Sequence, residues 1–297
     1  MSGGPAGGRF VWIDGSVMRS DRARVSALDR GLLFADGVFE TVRCYAGRPF
    51  LWERHEARMR ASLRRFGIAR PAFDLDAAIH ALLGACRLAD AGVRVTVTRG
   101  VGAALVPSPG LRPTTLVTAR EVEPDLEALR SRGVAAIRLP FGHGQGGVGR
   151  GHKTLDYLPA VLGATLARRR HAREGLYVEA DGTISEGTTS NLFAVFDGRL
   201  YTPWLASGCL PGITRSIVLT IARRAGLEVA EVAVAGEALD RADELFLAGS
   251  VIELLPVVRL DGRKVGDGRP GVLTRLLQEN YRRLVRRTLA RPPRARS

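Results

Sequence analysis

The chain has 297 residues, 45% of them hydrophobic and 25% charged, which excludes wholesale disorder and fibrous repeats and leaves room for two ordinary domains. No apolar run approaches the roughly 18 residues that span a bilayer, MSGGPAGGRF is no secretion signal, and Cys44, Cys86 and Cys209 lack disulfide or zinc spacing, so a reducing cytoplasm is expected. The formal charge of +14 is uneven, because the last seventeen residues hold seven arginines and no acid and account for half of it.

Residues 1–8 are glycine-rich and are expected to form a disordered tail. FVWIDG alternates and ends in Asp14-Gly15, which predicts a hairpin whose second run reaches Arg24 and Val25. FETVRCY and RPFLW, joined at Ala46-Gly47, predict another. From Trp52 the spacing changes: Trp52, Met59, Leu63 and Phe66 form one helical stripe, with Arg60, Arg64 and Arg65 off it. Leu75 to Ala91 reads as a second helix, and VRVTVTRG and TTLVTARE as strands, completing an N-terminal α/β domain over 9–120. The polar stretch EVEPDL around Pro124 marks a linker region, 121–132. A second domain, 133–285, opens with strand VAAIRLP, a glycine-rich loop from Gly142 to Gly151 and a helix from Leu158 to Arg173. LYVEA, TISE, NLFAVF and RLYTP follow as strands, with Asp181-Gly182 and Asp197-Gly198 as hairpin turns. A helix from Ile213 to Ala225, strands LEVAEVAV and ELFLAGS, a hairpin at Asp261-Gly262 and a helix from Leu273 complete it, and 286–297 form a basic tail. Strands and helices mix without a strict βαβ rhythm, which gives an α/β (α+β) class and argues against a doubly wound dinucleotide fold.

Only two of the 44 basic residues are lysines, Lys153 and Lys264. A lysine kept where arginine serves almost everywhere else suits a task that guanidinium cannot perform, such as attack on an aldehyde, which needs an amine that can lose its proton. The plain alternative, that a lysine escaped a coding bias, fits Lys264 in the turn DGRKV and stays open for Lys153 in RGHKTLDY. LPGITR puts Gly212, Ile213 and Thr214 at a helix start, where free amides favour a phosphate, although Pro-Gly there also serves as a simple turn. ELFLAGS ends in Gly249-Ser250, a small polar end to an apolar strand, and Arg58 lies at the edge of its helix stripe. Glu186 in TISEGTTSN reads either as a turn former or as the partner of a protonated ring nitrogen. The five histidines (55, 80, 143, 152, 171) have no metal-ligand spacing, so no metal is expected.

DRGLLFADGVFETVR, HEARM, RGHKTLDYLP, ISEGTTSNLF, YTP, LPGITR, ADELFLAGS and LLPV stand in one order over residues 9 to 285, and together resemble the class IV aminotransferases. These fold-type IV pyridoxal-phosphate enzymes include branched-chain and D-amino-acid aminotransferases and 4-amino-4-deoxychorismate lyase. The resemblance implies a small N-terminal α/β sandwich, a larger C-terminal pseudo-barrel α/β domain, a homodimer, and pyridoxal 5'-phosphate in a cleft between the domains. It implies that Lys153 is the Schiff-base lysine and proton shuttle, that Arg58, Gly212, Ile213, Thr214 and Ser250 serve the phosphate, and that Glu186 faces the pyridine nitrogen. Phe39, Thr41, Arg43, Arg99 and Tyr157 become candidates for the substrate pocket. Tyr157 is four residues after the lysine rather than the five typical of branched-chain enzymes, and Thr41 replaces their glycine. Phe39 stands where D-amino-acid aminotransferases carry a tyrosine, and their Arg-x-His pair does not follow VTRG, so a branched-chain-like L-amino acid paired with a 2-oxo acid is the expected substrate class. The lyase on the same scaffold is the alternative reading. A remote one is nucleic-acid or acidic-surface binding through the arginine-rich tail.

Overall fold

The computed structural model describes residues 9–143 and 149–290; the expected tail at 1–8, the middle of the glycine-rich loop and residues 291–297 lie outside them. The chain packs into two compact units, one running to Glu123 and including His152–Asp156, the other holding Pro124–Gly151 and everything from Tyr157 onward.

In the first unit the elements are β1 (Phe10–Ile13), β2 (Ser16–Arg19), α1 (Arg30–Phe34), β3 (Gly37–Tyr45), β4 (Arg48–Pro49), α2 (Trp52–Arg65), α3 (Leu75–Cys86), β5 (Ala91–Thr98) and β6 (Thr115–Glu121). Among the described residues they form a six-stranded sheet in the order β2-β1-β6-β5-β3-β4, every pairing antiparallel. The period of two along β3 sends Val38, Val42 and Cys44 into a core with Met59 and Leu63 of α2 and Ile79 and Leu82 of α3. Phe39, Thr41 and Arg43 have the opposite parity. α2 begins at Trp52, as the stripe predicts, with acidic Glu53 in its first turn and Arg64 and Arg65 in its last, each complementing the helix dipole. α3 is capped by Asp74, whose side chain accepts from the amides of Asp76 and Ala77, and it stops at Cys86, short of the expected Ala91. The second hairpin strand shrinks to Arg48–Pro49 because Trp52 is already helical.

The second unit contains α4 (Leu126–Arg132), β7 (Val134–Arg138), α5 (Leu158–Arg169), β8 (Glu174–Val178), β9 (Thr183–Gly187), β10 (Asn191–Phe196), β11 (Arg199–Pro203), α6 (Ile213–Arg224), β12 (Val229–Val232), β13 (Val234–Ala235), β14 (Glu244–Gly249), β15 (Glu253–Leu260), β16 (Arg263–Lys264) and α7 (Val272–Leu289). Its strands build a ten-stranded mixed sheet among the described residues, ordered β12-β11-β10-β14-β15-β7-β8-β9-β13 with β16 on β15. Two of the three Asp-Gly turns expected in this unit adopt positive φ at each residue, Asp197 and Gly198 at 48° and 74°, Asp261 and Gly262 at 49° and 81°, whereas at Asp181-Gly182 only the glycine does, at 78°.

Three assignments change. The expected linker 121–132 contains α4, which buries Leu126 and Arg130. His152–Asp156, expected in the second domain, belongs to the first unit: Phe39 N donates to Lys153 O at 2.8 Å and Leu155 N to Gly37 O at 3.1 Å, with a bridge between Val38 and Thr154. Residues 286–289 of the expected basic tail continue α7. No described helix is long and apolar enough to cross a membrane.

Candidate active site

In the first unit the site grows from β3 and α2. Glu40 has the core-facing parity of Val38 and Val42, is 1% exposed, and meets Arg58 and His55 one turn apart on α2. Arg58 donates to both carboxylate oxygens, Nε to Oε1 at 2.7 Å and Nη2 to Oε2 at 2.8 Å, and His55 Nδ1 lies 2.8 Å from Oε2. Burial works to raise the Glu40 pKa, but the adjacent Arg58 guanidinium and the hydrogen bonds from Arg58 and His55 outweigh it and hold it at about 2. Burial lowers the pKa of His55 against the pull of Glu40. The ionised acid accepts only, so the neutral imidazole carries its proton on Nδ1.

Lys153 reaches the other parity of β3, with Nζ 4.5 Å from the centre of the buried Phe39 ring. Arg94, register partner of Thr41 on β5, covers that ring at 3.5 Å and donates to Thr96 Oγ1 at 3.2 Å. The Lys153 segment can lie this close because residue 37 is glycine: a Cβ there would stand 2.7 Å from Leu155 Cδ1 and 2.7 Å from Val97 O. The structure thus places Phe39 and Thr41 on β3, Lys153 on the segment bridged to that strand, and Arg58 on α2. Arg43, on the parity of Phe39, is buried; its Nη2 is 3.6 Å from Asp90 Oδ1, its guanidinium lies 4.8 Å from the Tyr45 ring, and Nε and Nη1 have no hydrogen-bond partner among the described residues. Arg99 is engaged within the first unit. Its Nε donates to Asp36 at 2.7 Å, and Nη1 and Nη2 donate to the carbonyls of Gly67 and Phe66 at 2.6 and 2.8 Å, which caps the end of α2.

In the second unit Glu186 Oε2 accepts from the Leu210 amide at 3.0 Å and from Asn191 Nδ2 at 3.3 Å, while the same Nδ2 donates to Leu210 O at 2.9 Å. Two residues on, Gly212 N-caps α6 without a side-chain bond, and Ile213 and Thr214 are buried in its first turn. The first amides of a helix have no acceptor within it, so this end presents donors. A Cβ on residue 212 would stand 2.0 Å from Asn191 Oδ1, so glycine is needed where the backbone passes Asn191. Asn191 pairs with Ala248 across β10 and β14, which sets Gly249 and Ser250 beside the 188–190 turn. That turn is built on buried Glu174, which accepts from the hydroxyls of Thr188, Thr189 (3.0 Å) and Ser190 (2.9 Å). Tyr157 N-caps α5. Burial, reinforced by Glu186, Glu174 and Tyr157, pushes the Tyr177 phenol up and keeps it neutral. Glu40, Asn191 and Glu174 escaped the sequence reading; the one signal for Glu40 was a carboxylate among the otherwise apolar core-facing positions of β3, Val38, Val42 and Cys44.

The family model described as amino-transferase class IV matches residues 37–260. The chain belongs to the class IV aminotransferase family. A putative branched-chain-amino-acid aminotransferase of Methanocaldococcus jannaschii is 34% identical over 92% of this chain and 95% of its own length. The crystal structure of the Escherichia coli branched-chain amino acid aminotransferase has a TM-score of 0.86 at 30% identity, covering 93% of this chain and 94% of that one. The branched-chain amino acid aminotransferase of Thermobaculum terrenum, solved in its PLP (holo) form, has a TM-score of 0.81 at 25% identity, covering 94% of each chain. This class IV enzyme is therefore a pyridoxal-phosphate-dependent transaminase of the fold-type IV architecture, with an amino acid and a 2-oxo acid as its substrate classes. The residues fit that cofactor in their chemistry: an amine for its aldehyde, a locked guanidinium and an uncapped helix start for its phosphate, and a hydrogen-bonded carboxylate for its ring nitrogen.

Proposed function

We propose that the chain is a cytoplasmic, homodimeric aminotransferase that moves the amino group of a branched-chain-like L-amino acid to a 2-oxo acid. The observation that carries the reading is the Lys153 segment laid along β3, with its amine at the Phe39 ring and Arg58 fixed by Glu40 on the helix behind. The branched-chain aminotransferases to which the chain is similar support the substrate class, and the free thiols of buried Cys44 and Cys209 and of Cys86 support a reducing compartment.

Pyridoxal phosphate, when bound, supplies an aldehyde and an electron-accepting ring. Arg58, its guanidinium oriented by Glu40, would serve the phosphate from the first unit, and in the second unit the amides of Ile213 and Thr214, with the hydroxyls of Thr214 and Ser250, would offer donors to the same anion. Gly212 keeps the backbone close. Glu186, itself oriented by Leu210 N and Asn191, holds a proton on the pyridine nitrogen. Lys153 Nζ would take the proton from the substrate α carbon and deliver one to the cofactor's C4′ carbon within the same half-reaction, and would carry out the reverse transfer with the second substrate. Phe39 and Thr41 give the substrate side an apolar wall, Tyr157 closes the start of α5, and Arg43 is the arginine with donors to offer a substrate carboxylate.

The holoenzyme is to be mixed with L-leucine, L-valine, L-isoleucine, D-alanine or aminodeoxychorismate while the visible band is followed, with 2-oxoglutarate added afterwards. Bleaching by the branched-chain L-amino acids and recovery on 2-oxoglutarate is expected. Response to D-alanine alone, or release of 4-aminobenzoate, would replace this reading.

A further inference from the structure

His152 immediately precedes Lys153 and turns back onto α2. Its Nδ1 lies 2.9 Å from Ser62 Oγ, and that hydroxyl donates to the Arg58 carbonyl at 3.2 Å. Ser62 has one hydrogen to give, so with it committed to Arg58 the second contact is made by His152 Nδ1–H donating to the hydroxyl. Burial, with Arg65 nearby, lowers the His152 pKa and favours the neutral ring. The edge of Phe66 packs on the imidazole, ring centres 5.0 Å apart and planes at 71°. Ser62 is buried, 3% exposed, so the link runs through a largely dry contact. On the other side of the lysine, its carbonyl is held by the Phe39 amide at 2.8 Å. The backbone of residue 153 is therefore pinned before and after its α carbon, once to the helix of Arg58 and once to β3.

We propose that His152 is a positioning residue for Lys153: through Ser62 it ties the residue before the catalytic amine to the helical turn that carries the phosphate-binding arginine. The inference rests on the roles proposed above for Lys153 and Arg58. Without the link the lysine keeps its chemistry and its strand contact but loses its fixed distance to the anchor, and misplacement on the order of 1 Å slows such proton transfers by as much as about 100-fold. Aromatic packing of His152 on Phe66 alone would predict a loss of stability with no link to Ser62.

The test compares wild type, His152→Ala, Ser62→Ala, the double variant and His152→Asn, all as holoenzymes. Each is assayed for the single-turnover rate with L-leucine, for KM, for far-UV circular dichroism and for borohydride labelling of the peptide containing residue 153. We expect His152→Ala and Ser62→Ala each to slow the half-reaction about 10- to 100-fold with KM within about threefold. The double variant should be no slower than the worse single, because both remove one link. His152→Asn, whose amide can still donate to Ser62, should recover most of the rate. Every variant should retain its fold and the label at residue 153. Single-variant effects that multiply, or a His152→Ala rate within twofold of wild type, would overturn the positioning role while leaving the reading of Lys153 intact. Absence of label at residue 153 in the wild type would instead overturn the reading of Lys153, and this proposal with it.

Discussion

At the scale of single residues, the pair formed by Glu40 and Arg58 ties stability to function. The carboxylate titrates at about 2 in the folded chain against 4.5 without the fold, so its contribution is fully present above 4.5 and is lost as the pH falls from there through about 2. The shift corresponds to roughly 3 kcal/mol, and removing one partner of a buried pair costs about the same. Glu40→Gln should therefore lower the unfolding free energy by about 3 kcal/mol at pH 7. Urea titrations at pH 7, 5 and 3.5 should show that deficit shrinking towards acid; a deficit equal at all three would mean the charge is not its cause. Scarcity singled out Lys153 in the sequence and a place at the edge of an apolar stripe singled out Arg58, while the roles proposed for both came from the family resemblance. Glu40 was not legible as a partner, because its pairing depends on a helix landing on one parity of β3. The contacts of Arg99 were not legible for the same reason: it donates to Asp36 and to the end of α2, a contact that no local pattern announces.

At the scale of elements, periodicity located α2, α6 and the strands around the Asp-Gly turns, where local chemistry and tertiary packing agree. It failed where one overrode the other. α4 was hidden behind Pro124 and a polar composition, and is recovered by burial of Leu126 and by Arg130 donating to Ile252 O at 3.0 Å. The 152–156 segment carries no strand pattern and is placed by β3. The start of α6 makes the sharpest element-level test, since Gly212 leaves no room for a methyl group beside Asn191. Gly212→Ala should displace the Asn191 amide from Leu210 O and loosen Glu186, while the helix, which exchanges its N-cap glycine for a poorer cap but keeps its buried face, stays formed. We expect cofactor affinity to fall about tenfold or more, the loss of about one good hydrogen bond to a charged group, with the circular dichroism unchanged. Equilibrium titration of the apoprotein with pyridoxal phosphate reads this directly, and an unaltered affinity would remove Gly212 from the phosphate grip.

At the scale of the whole molecule, the surface is described better by its apolar residues than by its charge. Arg282, Arg283, Arg286 and Arg287 lie on α7, whose other face buries Thr274, Leu277, Tyr281 and Val285, and Arg282, Arg283 and Arg286 pair with Glu127 or Glu279. Much of the apparent basic tail is thus the solvated side of an ordinary amphipathic helix, which weakens the case for nucleic-acid binding. The apolar side is harder to explain in a monomer. In the first unit Leu32, Leu105 and Val106 are 70%, 75% and 79% exposed. In the second, α5 buries Ala160, Gly163 and Ala167 on one side and exposes Leu158, Val161 and Leu162 on the other, so it is apolar nearly all round. A helix of that kind is expected to be covered on both faces, and a second copy of the chain is the covering the proposed homodimer provides. Sedimentation equilibrium should return twice the mass of one chain. Val161→Glu with Leu162→Glu, which leaves the buried face of α5 untouched, should shift the protein towards monomer at micromolar concentration without unfolding it. A wild type that sediments as a single chain would refute the dimer, whereas a charged double variant that remains dimeric would move the interface away from α5 and onto the exposed residues of the first unit, where Leu105→Glu and Val106→Glu are the substitutions to make next.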